Sequence, residues 1–286
     1  MSVFDRIGKG WTLGITSLNV IKKNKQLVLF PIISGVFLVL VIGSFMGLAY
    51  SQMGFEAIER IEQGSVTDYA IAFVFYLIAY FIIIFFNVGL VHCTKIYLEG
   101  GTPKFSDGVK FSKTRITTIL GWSALSATVG LIIKGIQENT GTIGNILSNI
   151  VGIIWSIATF FVVPVLAYEE VGPIEALKRS GAIMKEKWGE SIGASFSFGI
   201  LTFLGILLIA LPVGFLLSYL IHPVLGIGTG ILLVFFIQSI VSSAQMVFIT
   251  TVYHQVADVS PIENNDFNPE ILDSLFVEKK KKGIFG

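Results

Sequence analysis

Gln238, Ser242 and Gln245 recur at spacings of four and three residues in a stretch without charge, and Asn87 sits deep in a second such stretch. On a helix that spacing gathers the first three on one polar stripe. Two kinds of chemistry are open to it. The amides and hydroxyl can bond to neighbouring helices, each bond worth about 0.6 kcal/mol in a membrane bundle, or they can line a wet cavity that accepts a lipid headgroup or a small solute. Ionisable groups at bilayer depth mark ion and substrate paths. The apolar cores here contain none, which argues against a proton- or sodium-coupled carrier built on carboxylates. Intramembrane hydrolysis needs a nucleophile with its base, a metal triad or paired aspartates. No such set is found, so neither catalysis nor a cofactor is expected.

The remaining reactive residue types read as structural. His92, His222 and His254 each fall near the end of an apolar stretch, on both sides of the expected membrane, which speaks against one shared metal site and for interfacial histidines. Cys93 is the single cysteine. It excludes an intrachain disulfide or a cysteine-rich metal site and reads as a small apolar filler. Glu169, Glu170 and Glu175 form an acidic cluster, with Lys178 and Arg179 one helical turn beyond Glu175 and placed to neutralise part of it. Gly100 and Gly101 read as a turn rather than a phosphate loop.

The elements that must carry these residues are set by where charge is absent. No Lys, Arg, Asp or Glu occurs between Gln26 and Phe55, Tyr69 and Thr94, Ile116 and Ile133, or Ser191 and Ala257. A hydrocarbon core of about 30 Å is crossed by roughly 20 apolar residues in a helix, so each gap can span, the last can span twice, and the stretch 143–168, also without charge, supplies a sixth crossing. The chain is 53% hydrophobic and 14% charged, against about 25% charged in soluble domains. An all-α, polytopic six-helix transmembrane bundle follows, with spans near 27–50, 70–94, 116–134, 143–168, 191–220 and 224–253. Residues 1–260 are expected to form one membrane domain and 261–286 a polar and basic tail. The 30 glycines, many inside spans, allow close helix approach where lipid provides no drive to associate. Pro164 and Pro212 are placed to kink their spans, and Pro223 to turn the last hairpin.

Positive charge divides the connections into two sets. Met1–Gln26, Lys95–Arg115, Glu169–Glu190 and the tail after His254 hold 18 of the 20 Lys and Arg, and the other three connections hold only Arg60 and Lys134. Basic residues flanking spans stay on the cytoplasmic side, so both termini are expected inside, as an even number of crossings requires.

Surface helices precede the hairpins. Phe4, Ile7, Trp11, Ile15 and Leu18 recur at helical spacing with Arg6 and Lys9 turned away, predicting an amphipathic helix near 2–20. It either lies along the cytoplasmic headgroup layer or packs against the ends of the other helices. Ile174, Leu177, Gly181, Met184 and Trp188, with Lys178, Arg179, Lys185 and Lys187, predict a second near 173–189, opened by Pro173. Phe105 to Arg115 is a shorter version with Asp107 as its cap. Each even-numbered span ends at a tyrosine followed by a proline: Tyr97 with Pro103, Tyr168 with Pro173, Tyr253 with Pro261. That pattern fits either an internal triplication or shared interface grammar, since tyrosine favours the lipid boundary. In the tail, Ile271, Leu272, Leu275 and Phe276 allow a short helix before Lys279, Lys280, Lys281 and Lys282. That block either holds anionic lipid, at about 1 kcal/mol per residue, or only fixes orientation. Basic residues spread over four connections do not form a nucleic-acid-binding face.

The segment Val163–Ile192, VPVLAYEEVGPIEALKRSGAIMKEKWGESI, couples a span ending in Pro-Val to an acidic turn, then Gly-Pro, a Glu-Ala-Leu-Lys-Arg-Ser helix and Lys-Trp. It resembles a group of bacterial integral membrane families of unknown function, similar to the membrane domain of glycerophosphodiester phosphodiesterases. The resemblance implies a six-helix bundle with no assigned reaction. The phosphodiesterase chemistry sits on a separate soluble domain, so no catalytic residue carries over. The chain is thus expected in a bacterial inner membrane as a non-enzymatic component. Its expected partners are membrane lipids, other membrane proteins or a second copy, with Arg6, Lys9, Trp11, Lys178, Arg179, Trp188 and Lys279–Lys282 touching the lipid surface. A transporter with a polar cavity beside the sixth span is the alternative.

Overall fold

The computed structural model describes residues 3–53, 66–139, 141–186, 198–257 and 262–264. Trp188 and the basic tail with Lys279, Lys280, Lys281 and Lys282 lie outside the described residues, as do the side chains of Phe4, Arg6, Ile7 and Lys9. Among the described residues there is no strand. Helix α1 (Val3–Lys23) leads through a 3-10 turn (Lys25–Val28) into α2 (Leu29–Met53), followed by α3 (Val66–Leu98), α4 (Phe105–Thr114) and α5 (Ile116–Asn139). Then come α6 (Gly141–Ala158), α7 (Val162–Tyr168), α8 (Pro173–Glu186), α9 (Phe198–Leu220) and α10 (Pro223–Ala257). Among the described residues six stretches are long and apolar enough to cross a membrane: Lys25–Ser51, Val66–Leu98, Ile116–Gln137, Gly144–Tyr168, Phe198–Leu220 and Pro223–Ala257. Six is the number expected from the sequence, and residues 191–197 of the expected fifth span lie outside the described residues.

The chain forms two compact units, one of Met1–Lys23, Leu98–Gly100 and Lys185–Gly286, the other of Asn24–Tyr97 and Gly101–Met184. In the second unit α2 meets α3 through stacked Phe37 and Phe86 and through an edge contact of Phe45 with Phe75. Trp122 of α5 stacks on Trp155 of α6, the rings 5° from parallel. Helix α4 is joined closely to α3. A Cβ on Gly108 would stand 2.5 Å from the Gly89 carbonyl oxygen and from the Phe30 ring, so only glycine permits the approach. Four residues on, the Ser112 hydroxyl donates to the Phe85 carbonyl at 2.7 Å. Asp107 closes the start of α4 by accepting from the Lys104 amide at 3.1 Å, the capping role expected of it.

Pro164 does more than bend the fourth span. Its ring would clash with the Phe160 carbonyl and its nitrogen has no proton to donate, and the span divides into α6 and α7 around residues 159–161. The exposed ladder is repaired from outside: the Phe161 amide donates to the Ser180 hydroxyl of α8 at 3.0 Å, with both residues fully buried.

In the first unit α1 packs on α10, burying Ser17, Val20 and Ile21. Helix α9 carries a π-helical turn, Ile206–Ala210, in which the Leu211 amide reaches back to the Ile206 carbonyl. The wider turn accommodates Pro212, which cannot make the ordinary bond to Leu208. Beyond it α9 and α10 approach through Gly214, Gly226 and Gly230, and a Cβ on Gly226 would overlap Ser218 and the Gly214 carbonyl. Pro223 opens α10 after the turn, where His222 Nδ1 accepts from the Val224 amide at 3.3 Å. The Leu98 carbonyl accepts from the amides of Glu263 and Asn264 beside Gly100, whose φ of 78° is left-handed.

Small residues are buried on all three surface helices, Gly14 and Ser17 on α1, Gly108 and Ser112 on α4, Ala176 and Ser180 on α8, beside Val20 and Ile21 on α1 and Ile183 and Met184 on α8. Trp11 and Ile15 are each 38% exposed and Ile174 is 61% exposed. Small side chains bring helix backbones together, so the large apolar residues that mark the periodicity turn away from the protein. Met184 alone of the predicted α8 face is buried. Each surface helix lies on the end of an even-numbered span: α4 on α3, α8 on α7, and α1 on α10.

Candidate functional site

Polar and aromatic side chains gather where α3, α4 and α7 meet. Helix α3 places His92 and Lys95 one turn apart near its end, and α4 places Phe111 one turn before Arg115, the residue that opens α5. Tyr168 ends α7. The His92 and Phe111 rings stack, with centroids 4.0 Å apart and planes within 4°. Phe111 lies 6.0 Å from the Tyr168 ring. Cations stand near two of the rings: Lys95 Nζ is 4.9 Å from the centroid of Tyr168, at one end, and the Arg115 guanidinium carbon 5.9 Å from that of Phe111, in the middle. All five residues are half-buried. Attraction between a cation and a ring face holds a flexible side chain in place, at about 0.5–1 kcal/mol when exposed.

Hydrogen bonds fix the ladder to its supports. The Tyr168 hydroxyl donates to the Val91 carbonyl at 3.2 Å, tying α7 to α3. The buried Cys93 thiol donates to the Lys104 carbonyl at 3.2 Å, and the Gln26 amide nitrogen donates to the Pro103 carbonyl at 2.9 Å, which together hold the approach to α4. The acidic cluster is dispersed rather than shared. Arg179 bonds Glu169 at 2.9 Å, Glu175 accepts from the Gly172 amide at the start of its own helix, and the highly exposed Glu170 stands 3.9 Å from Arg115. Arg179 thus neutralises part of the cluster through Glu169, ten residues away in sequence.

The stripe on α10 is present in its expected register. Gln238 is exposed and Ser242 and Gln245 are half-buried. Adjacent Ser239 and Ser243 are buried, their hydroxyls donating back to the Phe235 and Ser239 carbonyls. Asn87 is half-buried on α3, in the other unit. Lys178 is exposed on α8. His222 and His254 stand at opposite ends of α10, roughly 50 Å apart for a helix of that length. His254 is 1% exposed rather than interfacial. Spacing alone did not single out Lys95, Phe111, Arg115 or Tyr168 as a group. The only trace is local, Lys95 a turn after His92 and Arg115 a turn after Phe111, because Tyr168 joins them from a distant span.

Residues 66–261 match the model of a family of unknown function, DUF6159, and the chain belongs to that family. No curated protein matches it. The matched segment takes in the apolar stretches from Val66 to Ala257, leaves Lys25–Ser51 outside it, assigns no activity and gives no support to the likeness with glycerophosphodiester phosphodiesterase membrane domains.

Proposed function

We propose that this chain is a non-enzymatic multi-pass protein of a bacterial cytoplasmic membrane, with both termini inside, acting through contacts with lipid or with partner membrane proteins. One observation carries the reading: only 11% to 39% of the most apolar stretch of each span is buried. Large side chains such as Val39, Met46, Leu208 and Phe215 stand on the outside of the protein, where only hydrocarbon or another apolar surface would satisfy them. The segregation of Lys and Arg to alternate connections supports the orientation.

Fusing a reporter after Gly286 and labelling Lys110 from outside intact cells tests the topology. Cytoplasmic reporter activity and a protected Lys110 are expected; periplasmic activity, or label on Lys110, overturns it. Co-purification from native membrane, with mass spectrometry of lipids and proteins, tests the mode of action. Enrichment of a lipid class or a membrane partner is expected, and a turnover product formed by the isolated protein would overturn the non-enzymatic reading.

The exposure of Gln238 at span depth favours one second reading, a lipid or small-solute path beside α10. Loss of ligand binding in the Gln238→Leu, Gln245→Leu double variant at unchanged thermal stability would support it. Loss of stability alone would assign the stripe to helix packing.

A further inference from the structure

We infer that α10 pairs with α10 of a second copy of this chain, the two helices running parallel and the Gln238 amides of the two copies bonding to each other. The inference deepens the partner-protein reading above and rests on its single orientation in the membrane.

Register sets the face. Val224, Ile231, Gln238 and Gln245 stand seven residues apart, and Gly228, Phe235 and Ser242 divide each interval into steps of four and three. A repeat of that period keeps one stripe against a parallel partner helix. The stripe is turned outward: Val224 and Ile231 are 69% and 65% exposed, Gln238 is exposed, and a Cβ on exposed Gly228 would meet nothing within 4 Å. Gly226 and Gly230, by contrast, lie against Gly214 of α9. Alternate glycines of α10 thus serve opposite faces, and the outward one leaves room for a second backbone to approach.

The polar groups indicate the occupant. On the same helix the hydroxyls of Ser239, Ser243, Thr250 and Thr251 donate to carbonyls one turn earlier. The side chains of Gln238, Ser242 and Gln245 have no such bond, nor one to any other described residue. Gln238 lies 15 residues from Pro223 and 19 from Ala257, about 22 and 28 Å along the helix. The membrane reading therefore puts its amide in hydrocarbon, where an unpaired one is costly. A carboxamide both donates and accepts, so the same group at the same depth is a full partner for it. Two copies inserted the same way and related by a two-fold axis along the membrane normal bring like residues face to face. A different protein would have to supply polar groups at three matched depths over about 10 Å of helix. A second copy has them by identity.

Full-length protein is reconstituted in phosphatidylcholine liposomes, and association is measured by energy transfer between copies labelled after Gly286. Gln238→Leu is expected to weaken association about tenfold, as for two interhelical hydrogen bonds, with the melting temperature of the protomer unchanged. Cysteine cross-linking locates the seam independently, because the natural Cys93 is fully buried. Ile231→Cys is expected to form disulfide-linked dimers under mild oxidation. Leu225→Cys and Leu232→Cys, exposed on the same helix but about a third of a turn away from the stripe, are expected to form few. A monomeric wild type, association that Gln238→Leu leaves within about twofold, equal cross-linking from the flanking positions, or capture of a different protein by Ile231→Cys in native membrane overturns the pair and leaves the membrane reading standing. A protomer destabilised by Gln238→Leu also overturns it, assigning the amide to packing within one copy. Protein that does not enter liposomes removes both the pair and the membrane reading.

Discussion

The two ends of the spans are built on different principles, and α2 and α3 show the contrast within one unit. At the start of α2 and the end of α3, Leu27, Phe30, Val88, Leu90 and Val91 are buried, and α4 closes over them with backbones in contact at Gly89 and Gly108. At the far end of α2, Gly43 and Gly47 have nothing within 4 Å of a built Cβ, and Met46, Leu48 and Tyr50 face outward. The first unit repeats the arrangement along α10, buried from Val247 to His254 and exposed at Val224, Leu225, Ile227 and Ile231. One end is held by protein packing and the other is left to its surroundings. Composition does not separate them, since both are apolar and glycine-bearing. The difference lies in whether an amphipathic helix with a small-residue face lies across the end.

Glycine substitution tests that contrast most severely. Gly108→Val forces a branched side chain against the Gly89 carbonyl and the Phe30 ring, and overpacking of this kind costs about 1–3 kcal/mol or more. Loss of most folded protein is expected in a detergent thermal-stability assay. Gly47→Val, in open space, is expected to stay within about 0.5 kcal/mol of wild type. Equal losses would mean that the outer end is covered by something as unyielding as α4. Gly226→Ala is the informative exception, since it lies toward the exposed end of α10 but would meet Ser218 and Gly214. A loss there, relieved in part by adding Ser218→Gly, would show that direct helix contact, not position along the span, sets the sensitivity.

Ser180→Ala is next in expected size. The Phe161 amide, exposed by the break that Pro164 imposes, would lose its acceptor in a fully buried setting, and an orphaned buried amide costs about 1–3 kcal/mol. Ser180→Thr keeps a hydroxyl and is expected to recover part of the loss if the added methyl fits. Ser156→Ala, on the outer part of the same span, serves as the comparison and is expected to be near neutral.

The spans were legible because a run of some 20 apolar residues has few other uses. Expected 27–50, 116–134 and 224–253 became Leu29–Met53, Ile116–Asn139 and Pro223–Ala257. The surface helices were legible as helices, but not which of their residues pack on the protein. Periodicity is scored by large apolar side chains, of which Trp11, Ile15 and Ile174 turn outward, while Ser17, Ala176 and Ser180 pack beside Val20, Ile21, Ile183 and Met184. Small residues carry little hydrophobic signal, yet closeness of approach depends on them. The ladder was illegible for another reason. Its rings come from positions 92, 111 and 168, and nothing in the local pattern of α3 or α4 announces that α7 ends beside them. Pro164 was legible as a disturbance, but the partner that repairs it, Ser180, had to be seen in place.

Gln238→Leu is the smallest expected effect and the one that bears most directly on the outer surface. Gln238 is exposed on α10, one residue before Ser239, which is buried and satisfied by its own helix. If hydrocarbon surrounds this position, the amide is a cost with little return, and leucine is expected to leave thermal stability unchanged or raise it by less than about 0.6 kcal/mol, the average worth of a membrane hydrogen bond. If a second copy or another membrane protein covers the face, the same change is expected to lower the oligomeric or complexed fraction in native mass spectrometry while the isolated protomer melts as before. A wet path would be recognised differently, by loss of solute or lipid binding with both stability and assembly intact. The three outcomes separate lipid, protein and water as what the exposed half of α10 meets, and each assigns a different solvent to the region that the buried end does not need.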